Sequence, residues 1–182
     1  SLMFSIINLV SQTSSLEINK PSASTLAGKC ASRDKDSLDF LKPFGLDPET
    51  HTPNTEYVLV LGSSGLVGSY VIKALKDKGI KYLEVKSRHH LDLREKNSLA
   101  IFSKLRISFV FFLSYEVGGA KFLQLPSLQD QILHSNTEMM DSVFGFLKER
   151  KIRFLFASSS LSADNSTYGH VKRIGERRTL EM

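Results

Sequence analysis

Residues 57–78 read YVLVLGSSGLVGSYVIKALKDK: an apolar run, a glycine-rich corner and an amphipathic run in direct succession. Tyr57-Val58-Leu59-Val60-Leu61 is apolar without alternation, the pattern of a parallel strand covered on both faces. From Val67 onward, Val71, Ile72, Ala74 and Leu75 keep a helical period, and Gly79 stands where such a helix should end. Gly62, Gly65 and Gly68 lie between, spaced GxxGxxG. Gly62 suits a tight turn, Gly65 lets a pyrophosphate approach the backbone, and Gly68 lets helix and strand pack closely, with the helix N-terminus aimed at phosphate. The spacing predicts a dinucleotide site made by Gly62, Ser64, Gly65, Leu66, Val67 and Gly68; the alternative is an ordinary strand-to-helix turn.

A chain of 182 residues holds one ordinary domain and some excess. Hydrophobic and charged contents of 41% and 24% suit a soluble globular protein. No apolar run approaches the roughly 18 residues of a membrane span, so no membrane partner is expected. The formal charge of +5 is dispersed: Lys148-Glu149-Arg150-Lys151 and Glu176-Arg177-Arg178 interleave bases with acids, as on a solvated helix face. That argues against nucleic acid. Cys30 is the single cysteine, which excludes an internal disulfide and a cysteine metal cluster and fits a reducing compartment.

Residues 1–55 read as an N-terminal arm. Leu2 to Val10 is a short apolar run with no basic residue before it, a poor signal peptide, so a cytoplasmic location is expected. Ser11 to Asp36 is polar and reads as a linker. Asp36 to Leu41 suggests one helical turn before Pro43, with Phe40, Phe44 and Leu46 as anchors. Residues 56–182 then alternate. Tyr82 to Lys86 is a strand, Arg94 to Leu105 a helix with Leu99, Ile101, Phe102 and Leu105 on its apolar face, and Phe109 to Leu113 a buried strand. Gly118-Gly119 breaks the chain, Leu128 to Arg150 is a long helix, Arg153 to Ala157 a strand, and Ser166 to Leu180 a helix. Such alternation implies right-handed crossovers and a Rossmann-like α/β domain, a doubly wound parallel sheet that is here truncated and lacks a substrate domain.

Tyr168 and Lys172 stand four apart, on one face of the last helix. A free phenol titrates near ~10, and a fixed ammonium beside it favours the phenolate, as general acid/base work near neutrality requires. Taken alone the pair is also what an exposed aromatic stacked on a lysine stem looks like. What favours the acid/base reading is its position after the serine-rich strand end Ser158-Ser159-Ser160, in a chain that also carries the glycine-rich turn.

Together, Gly62-x-x-Gly65-x-x-Gly68, Ser158-Ser159-Ser160 and Tyr168-x-x-x-Lys172 resemble the extended short-chain dehydrogenase/reductase superfamily, in its NAD-dependent epimerase/dehydratase branch. Asn136 matches that family's asparagine in the same helix. Within the branch the GDP-L-fucose synthase family is nearest, since Lys86 to Leu93 is similar to its basic corner and Val117-Gly118-Gly119 to its Val-Gly-Gly loop. The resemblance implies an oxidoreductase or isomerase moving a hydride to or from a carbon of a nucleotide-sugar. It implies Tyr168 as acid/base, Lys172 as the residue lowering its pKa and holding the nicotinamide ribose, and Ser159, with Ser158 and Ser160 one step away, as the hydroxyl polarising the substrate oxygen. Asp92 resembles the residue that meets the adenine amino group.

The cofactor follows from charge. In this fold a carboxylate at the end of the second strand bonds the 2′-hydroxyl of NAD. Here that place is Lys86-Ser87-Arg88, with Glu84 one pleat earlier, so cations are offered to a 2′-phosphate and NADP is favoured over NAD. Two departures weigh against a full match. Leu161 falls where the synthase carries a cysteine, and the stretch from Leu161 to Thr167 is short for a segment that helps line the sugar pocket. The competing reading is a non-catalytic relative serving as a scaffold or assembly subunit, with a homodimer or larger assembly as its setting. His89-His90 reads as a surface pair, adjacent loop residues without a third metal ligand.

Overall fold

A computed structural model describes residues 36–116 and 126–182. The Leu2 to Val10 run, most of the polar stretch with Cys30, and Val117-Gly118-Gly119 lie outside the described residues. Four parallel strands, β1 (Glu56–Leu61), β2 (Tyr82–Val85), β3 (Arg106–Phe112) and β4 (Arg153–Phe156), form one sheet in the order β2-β1-β3-β4. The helices are α1 (Leu66–Asp77), α2 (Pro126–Arg150) and α3 (Thr167–Leu180).

The order of strands decides which face each helix covers. The step from β1 to β2 runs one way along the sheet and the step from β3 to β4 the other, so right-handed crossovers put α1 and α2 on opposite faces. Side chains along each strand sort accordingly by the two-residue period. Val58, Val60, Phe109 and Phe111 pack with Val71 and Leu75 of α1. Leu59, Leu61, Leu83, Val85, Val110 and Phe112 meet Met140, Val143, Phe144 and Leu147 of α2 on the other side. The sheet is a Rossmann-like core with both faces covered, and the reversal of strand order falls between β1 and β3, where such sheets open a crevice at their carboxyl ends.

Three expectations are corrected. The helix over Arg94 to Leu105 is instead a set of turns ending in a 3-10 segment, Ser98–Phe102. Its bonds run to the third residue back (Ser98 N–H to Glu95, Ala100 to Asn97, Ser103 to Ala100, Leu105 to Phe102), and Asn97 sits in the left-handed region at φ 64°, which ends any α-helix begun before it. Leu99, Phe102 and Leu105 still reach the core, because only the apolar contacts, not the helix, are required there. Phe40 is not an anchor, being 53% exposed. Asp36–Phe44 is a 3-10 segment running through Pro43, and on that tighter spiral Leu38, Leu41 and Phe44, followed by Leu46, turn inward. Phe44 stacks on His90 at 4.3 Å and meets the Phe102 edge at 5.3 Å. His90 is thereby more than a surface residue, and its Nδ1 also accepts the Lys86 N–H at 3.2 Å.

Gly62 and Gly68 fix how β1 hands over to α1. Gly62 adopts φ 91°, and a Cβ there would fall 2.7 Å from the Ser114 nitrogen. A Cβ on Gly68 would fall 2.2 Å from the Gly62 carbonyl oxygen and 2.7 Å from the Ser63 Cα, both backbone atoms that cannot turn aside. Gly68→Ala is therefore expected to lower unfolding free energy by about 1–3 kcal/mol through overpacking. Gly145→Ala, whose Cβ would meet nothing within 4 Å in the middle of α2, is expected to raise it by about 0.5–1 kcal/mol. Urea denaturation midpoints of the two variants check the pair.

Candidate functional site

At the carboxyl ends of β1, β2 and β3 lies a cavity of about 340 Å³, lined by Gly62, Ser64 and Gly65, by Lys86, Arg88, Asp92 and Arg94 from the segment after β2, and by Tyr115 and Glu116 after β3. The glycine corner forms one wall. Gly65 precedes α1 in extended backbone, with no side chain capping the helix and no acidic residue in its first turn. The amides of Leu66, Val67 and Gly68 are those an α-helix leaves without partners in its first turn, and they offer donors and a positive dipole end to an anion. A side chain on Gly65 would come no nearer to protein than 3.5 Å, so packing alone does not demand glycine there. Ser64 donates to the Lys86 carbonyl and ties the corner to the end of β2. Leu66 and Val67 are 78% and 48% exposed, apolar side chains left open beside the cavity.

The opposite wall is electrostatic. Arg94 grips Asp92 through both carboxylate oxygens, Nε to Oδ1 at 2.9 Å and Nη2 to Oδ2 at 2.5 Å, which holds the Asp92 carboxyl below the usual range and the guanidinium above its own. Lys86 Nζ lies 3.3 Å from Glu84 Oε1, and Arg88 Nη1 lies 3.8 Å from Glu116 Oε1, an ion pair that joins the segments leaving β2 and β3. Glu116 is held by Asn136 of α2, itself buried: its Oδ1 accepts the Glu116 N–H at 2.9 Å while its Nδ2 donates to the Glu116 carbonyl at 2.9 Å and to the Ile132 carbonyl at 2.8 Å.

The second group of residues meets at the end of β4. Ser166 caps α3 by accepting the Gly169 N–H at 3.1 Å. The first turn of α3 then lies so close to the 3-10 segment Ser160–Ala163 that a Cβ on Gly169 would sit 2.5 Å from the carbonyl oxygens of Leu161 and Asp164. This seats Tyr168 and Lys172 against the strand end. Lys172 is 3% exposed; its ammonium donates to the Ala157 carbonyl at 2.7 Å and lies 3.3 Å from the ring centroid of Tyr115, 5.3 Å from that of Phe156 and 5.5 Å from that of Tyr168. Burial pushes its pKa down to about 8 against the opposing pull of Glu176. Tyr168 is half-buried with its ring edge-on to Tyr115 at 5.9 Å. Of the serines, Ser158 donates to Glu176 and Ser160 is exposed, whereas half-buried Ser159 accepts the Leu161 N–H at 3.2 Å, a bond that does not use its own proton.

Tyr115 links the two groups, since it lines the cavity and covers Lys172. Nothing in the sequence singled it out except its place just past β3, where a doubly wound sheet opens. Glu116 and Arg94 were missed for the same reason: their meaning depends on partners from other segments. Among the described residues no cluster of three or more His, Cys, Asp or Glu is placed to hold a metal, and no helix is long and apolar enough to cross a membrane. A dinucleotide fits what is present. The uncapped helix start answers a pyrophosphate, and among the described residues the buried hydroxyls of Ser63, in the glycine corner, and Tyr115, on the cavity wall, find no hydrogen-bond partner.

A model of the NAD dependent epimerase/dehydratase family matches residues 58–181. No curated protein matches the chain. Among solved structures, a short-chain dehydrogenase/reductase superfamily protein from Agrobacterium tumefaciens with bound NAD is similar, with 23% identity, a TM-score of 0.55, and 68% of this chain and 44% of that chain covered. A GDP-L-fucose synthetase from Naegleria fowleri bound to NADP is similar at 20% identity, TM-score 0.56, covering 70% and 44%. A GDP-D-glycero-L-gluco-heptose synthase from Campylobacter jejuni, solved in the presence of NADPH, is similar at 16% identity, TM-score 0.60, covering 72% and 44%. The chain spans less than half the length of each. At these identities the likeness concerns the fold, whereas the family model runs from the third residue of β1 to the residue after α3, and by it the chain belongs to the NAD dependent epimerase/dehydratase family.

Proposed function

We propose that this chain forms the cofactor-binding part of an NADP-dependent reductase, epimerase or dehydratase acting on a nucleotide-linked sugar, similar in kind to GDP-L-fucose synthase. The observation that carries the reading is the seating of Lys172, buried with its ammonium on the Ala157 carbonyl and 5.5 Å from the Tyr168 ring. NADP, when bound, supplies or accepts the hydride. Tyr168 passes the accompanying proton to or from the sugar oxygen, Lys172 favours the phenolate form and reaches the ribose hydroxyls, and Ser159 donates to the substrate oxygen. The single cysteine fits the reducing cytoplasm, and a homodimer or a larger assembly is the setting proposed for the enzyme.

Preference for NADP rests on Lys86 and Arg88. Both are more than half exposed at the side chain, whereas their partners Glu84 and Glu116 are only 20% and 23% exposed. The two cations reach water while their carboxylates do not, so a 2′-phosphate can engage Lys86 and Arg88 from the open side. Arg88, at 3.8 Å from Glu116, is the looser of the two. The basic corner from Lys86 to Leu93 supports the likeness to GDP-L-fucose synthase; Leu161, 48% exposed at the position of that family's cysteine, departs from it and offers no thiol for its epimerisation step.

A second reading, a binding or assembly subunit, is favoured by one observation. The segment expected to help wall a sugar pocket folds as the 3-10 segment Ser160–Ala163 beneath α3.

Calorimetric titration at fixed salt is expected to show NADPH bound more tightly than NADH, with Arg88→Ala weakening NADPH alone; equal affinities would refute the NADP assignment. The 182-residue chain by itself is expected to show no turnover of a keto-sugar nucleotide, because near-attack geometry needs the sugar enclosed. In a longer, active form Tyr168→Phe should lose about 10²- to 10⁴-fold in kcat with cofactor affinity nearly unchanged, while Lys172→Met should lower both. Retention of more than about a tenth of the activity by Tyr168→Phe, a loss well short of that range, decides for the second reading.

A further inference from the structure

We infer that Tyr115 is a positioning residue for Lys172: the face of its ring holds the lysine ammonium against the Ala157 carbonyl at the side of Tyr168. Three observations converge on the ring. Lys172 Nζ stands 3.3 Å from the Tyr115 centroid, closer than to either of the other aromatic rings beside it. The Tyr115 hydroxyl is buried and has no hydrogen-bond partner among the described residues, so what this residue gives those neighbours is π surface. And the ring is itself held, edge-on to Tyr168 at 5.9 Å and tilted to Phe156 at 6.3 Å, while the next residue, Glu116, is clamped by Asn136 through both of its backbone groups.

A buried ammonium has few ways to stay charged. Lys172 has three N–H donors; one bonds Ala157, and the charged groups facing it are Glu176 on its own helix and, if ionised, the phenols of Tyr115 and Tyr168. Burial has already brought its pKa down to about 8. The electron-rich face of an aromatic ring attracts a cation most where water is excluded, which is the situation at 3% exposure. Tyr115 thus keeps Lys172 protonated near neutral pH, the state its proposed work beside Tyr168 requires. The purpose rests on the proposed cofactor site; the contact and its measurement do not.

The test is an NMR titration of the Lys172 side-chain Cε and Nζ resonances in labelled, cofactor-free protein, assigned with Lys172→Met. Tyr115→Phe keeps the ring and is expected to leave the midpoint unchanged. Tyr115→Leu keeps apolar bulk without the π face and should lower it by about one pH unit. Phenylalanines carrying one, two and three ring fluorines at position 115 hold the shape while draining the face, and the midpoint should fall stepwise along the series; they decide the matter if Tyr115→Leu does not fold. A midpoint indifferent to fluorine, or one that rises in Tyr115→Leu because water enters, overturns the role. NADPH titration of the same samples separates the two claims: the expected midpoints with no NADPH binding would refute the cofactor site and leave the Tyr115 contact standing.

Discussion

The closeness of α1 to the end of β1 is the constraint on which the site depends. With a Cβ on Gly68 barred by the Gly62 carbonyl, and one on Gly62 barred by the backbone at Ser114, three segments are locked at backbone distance: the exit of β1, the start of α1 and the exit of β3. No side chain intervenes, so no rotamer change can loosen the arrangement. The helix start is thereby aimed at a fixed point, and a fixed point is what a helix dipole needs, because its effect fades within the first turn.

From that corner the cavity is bounded by charges that already have partners. Arg94 is committed to Asp92 in a two-toothed pair, with geometry that makes it a poor donor to anything else. Lys86 and Arg88 hold their carboxylates more loosely and closer to water. The cavity is therefore bordered by a graded set of cations, of which Arg88 would give up least on changing partners. The same pair joins the segments after β2 and β3, so that exchange also alters what connects the two walls of the cavity. Asn136 moderates this, since it holds the Glu116 backbone regardless of where the carboxylate points.

What the sequence made legible were the features written in consecutive residues. Tyr57 to Gly79 carries strand, turn and helix with their periods and terminators, and the fold places each there. Tyr168 and Lys172 share a helix face for the same local reason. The stretch from Arg94 to Leu105 misled because its apolar spacing serves turns as well as a helix: Leu99, Phe102 and Leu105 need only reach the core, and Asn97 in the left-handed region breaks the helix that periodicity suggested. Phe40 misled because a 3-10 spiral advances each residue by a larger angle than an α-helix, turning Leu38 and Leu41 inward in its place. Tyr115 and Glu116 were illegible, since their neighbours Lys172, Asn136 and Arg88 lie far away along the chain.

Those long-range contacts follow from one property of the sheet. Its strand order, β2-β1-β3-β4, makes β1 and β3 adjacent while sending their following helices to opposite faces. The segment just past β3 then lies between the glycine corner on one side and the end of β4 on the other. A residue there touches both, and Tyr115 does, lining the cavity and covering Lys172. A small side chain at that position would leave the buried ammonium with the Ala157 carbonyl and the more distant rings of Phe156 and Tyr168 for support. The aromatic ring thereby joins the cavity wall to the tyrosine and lysine of α3, one side chain in contact with both halves of the site.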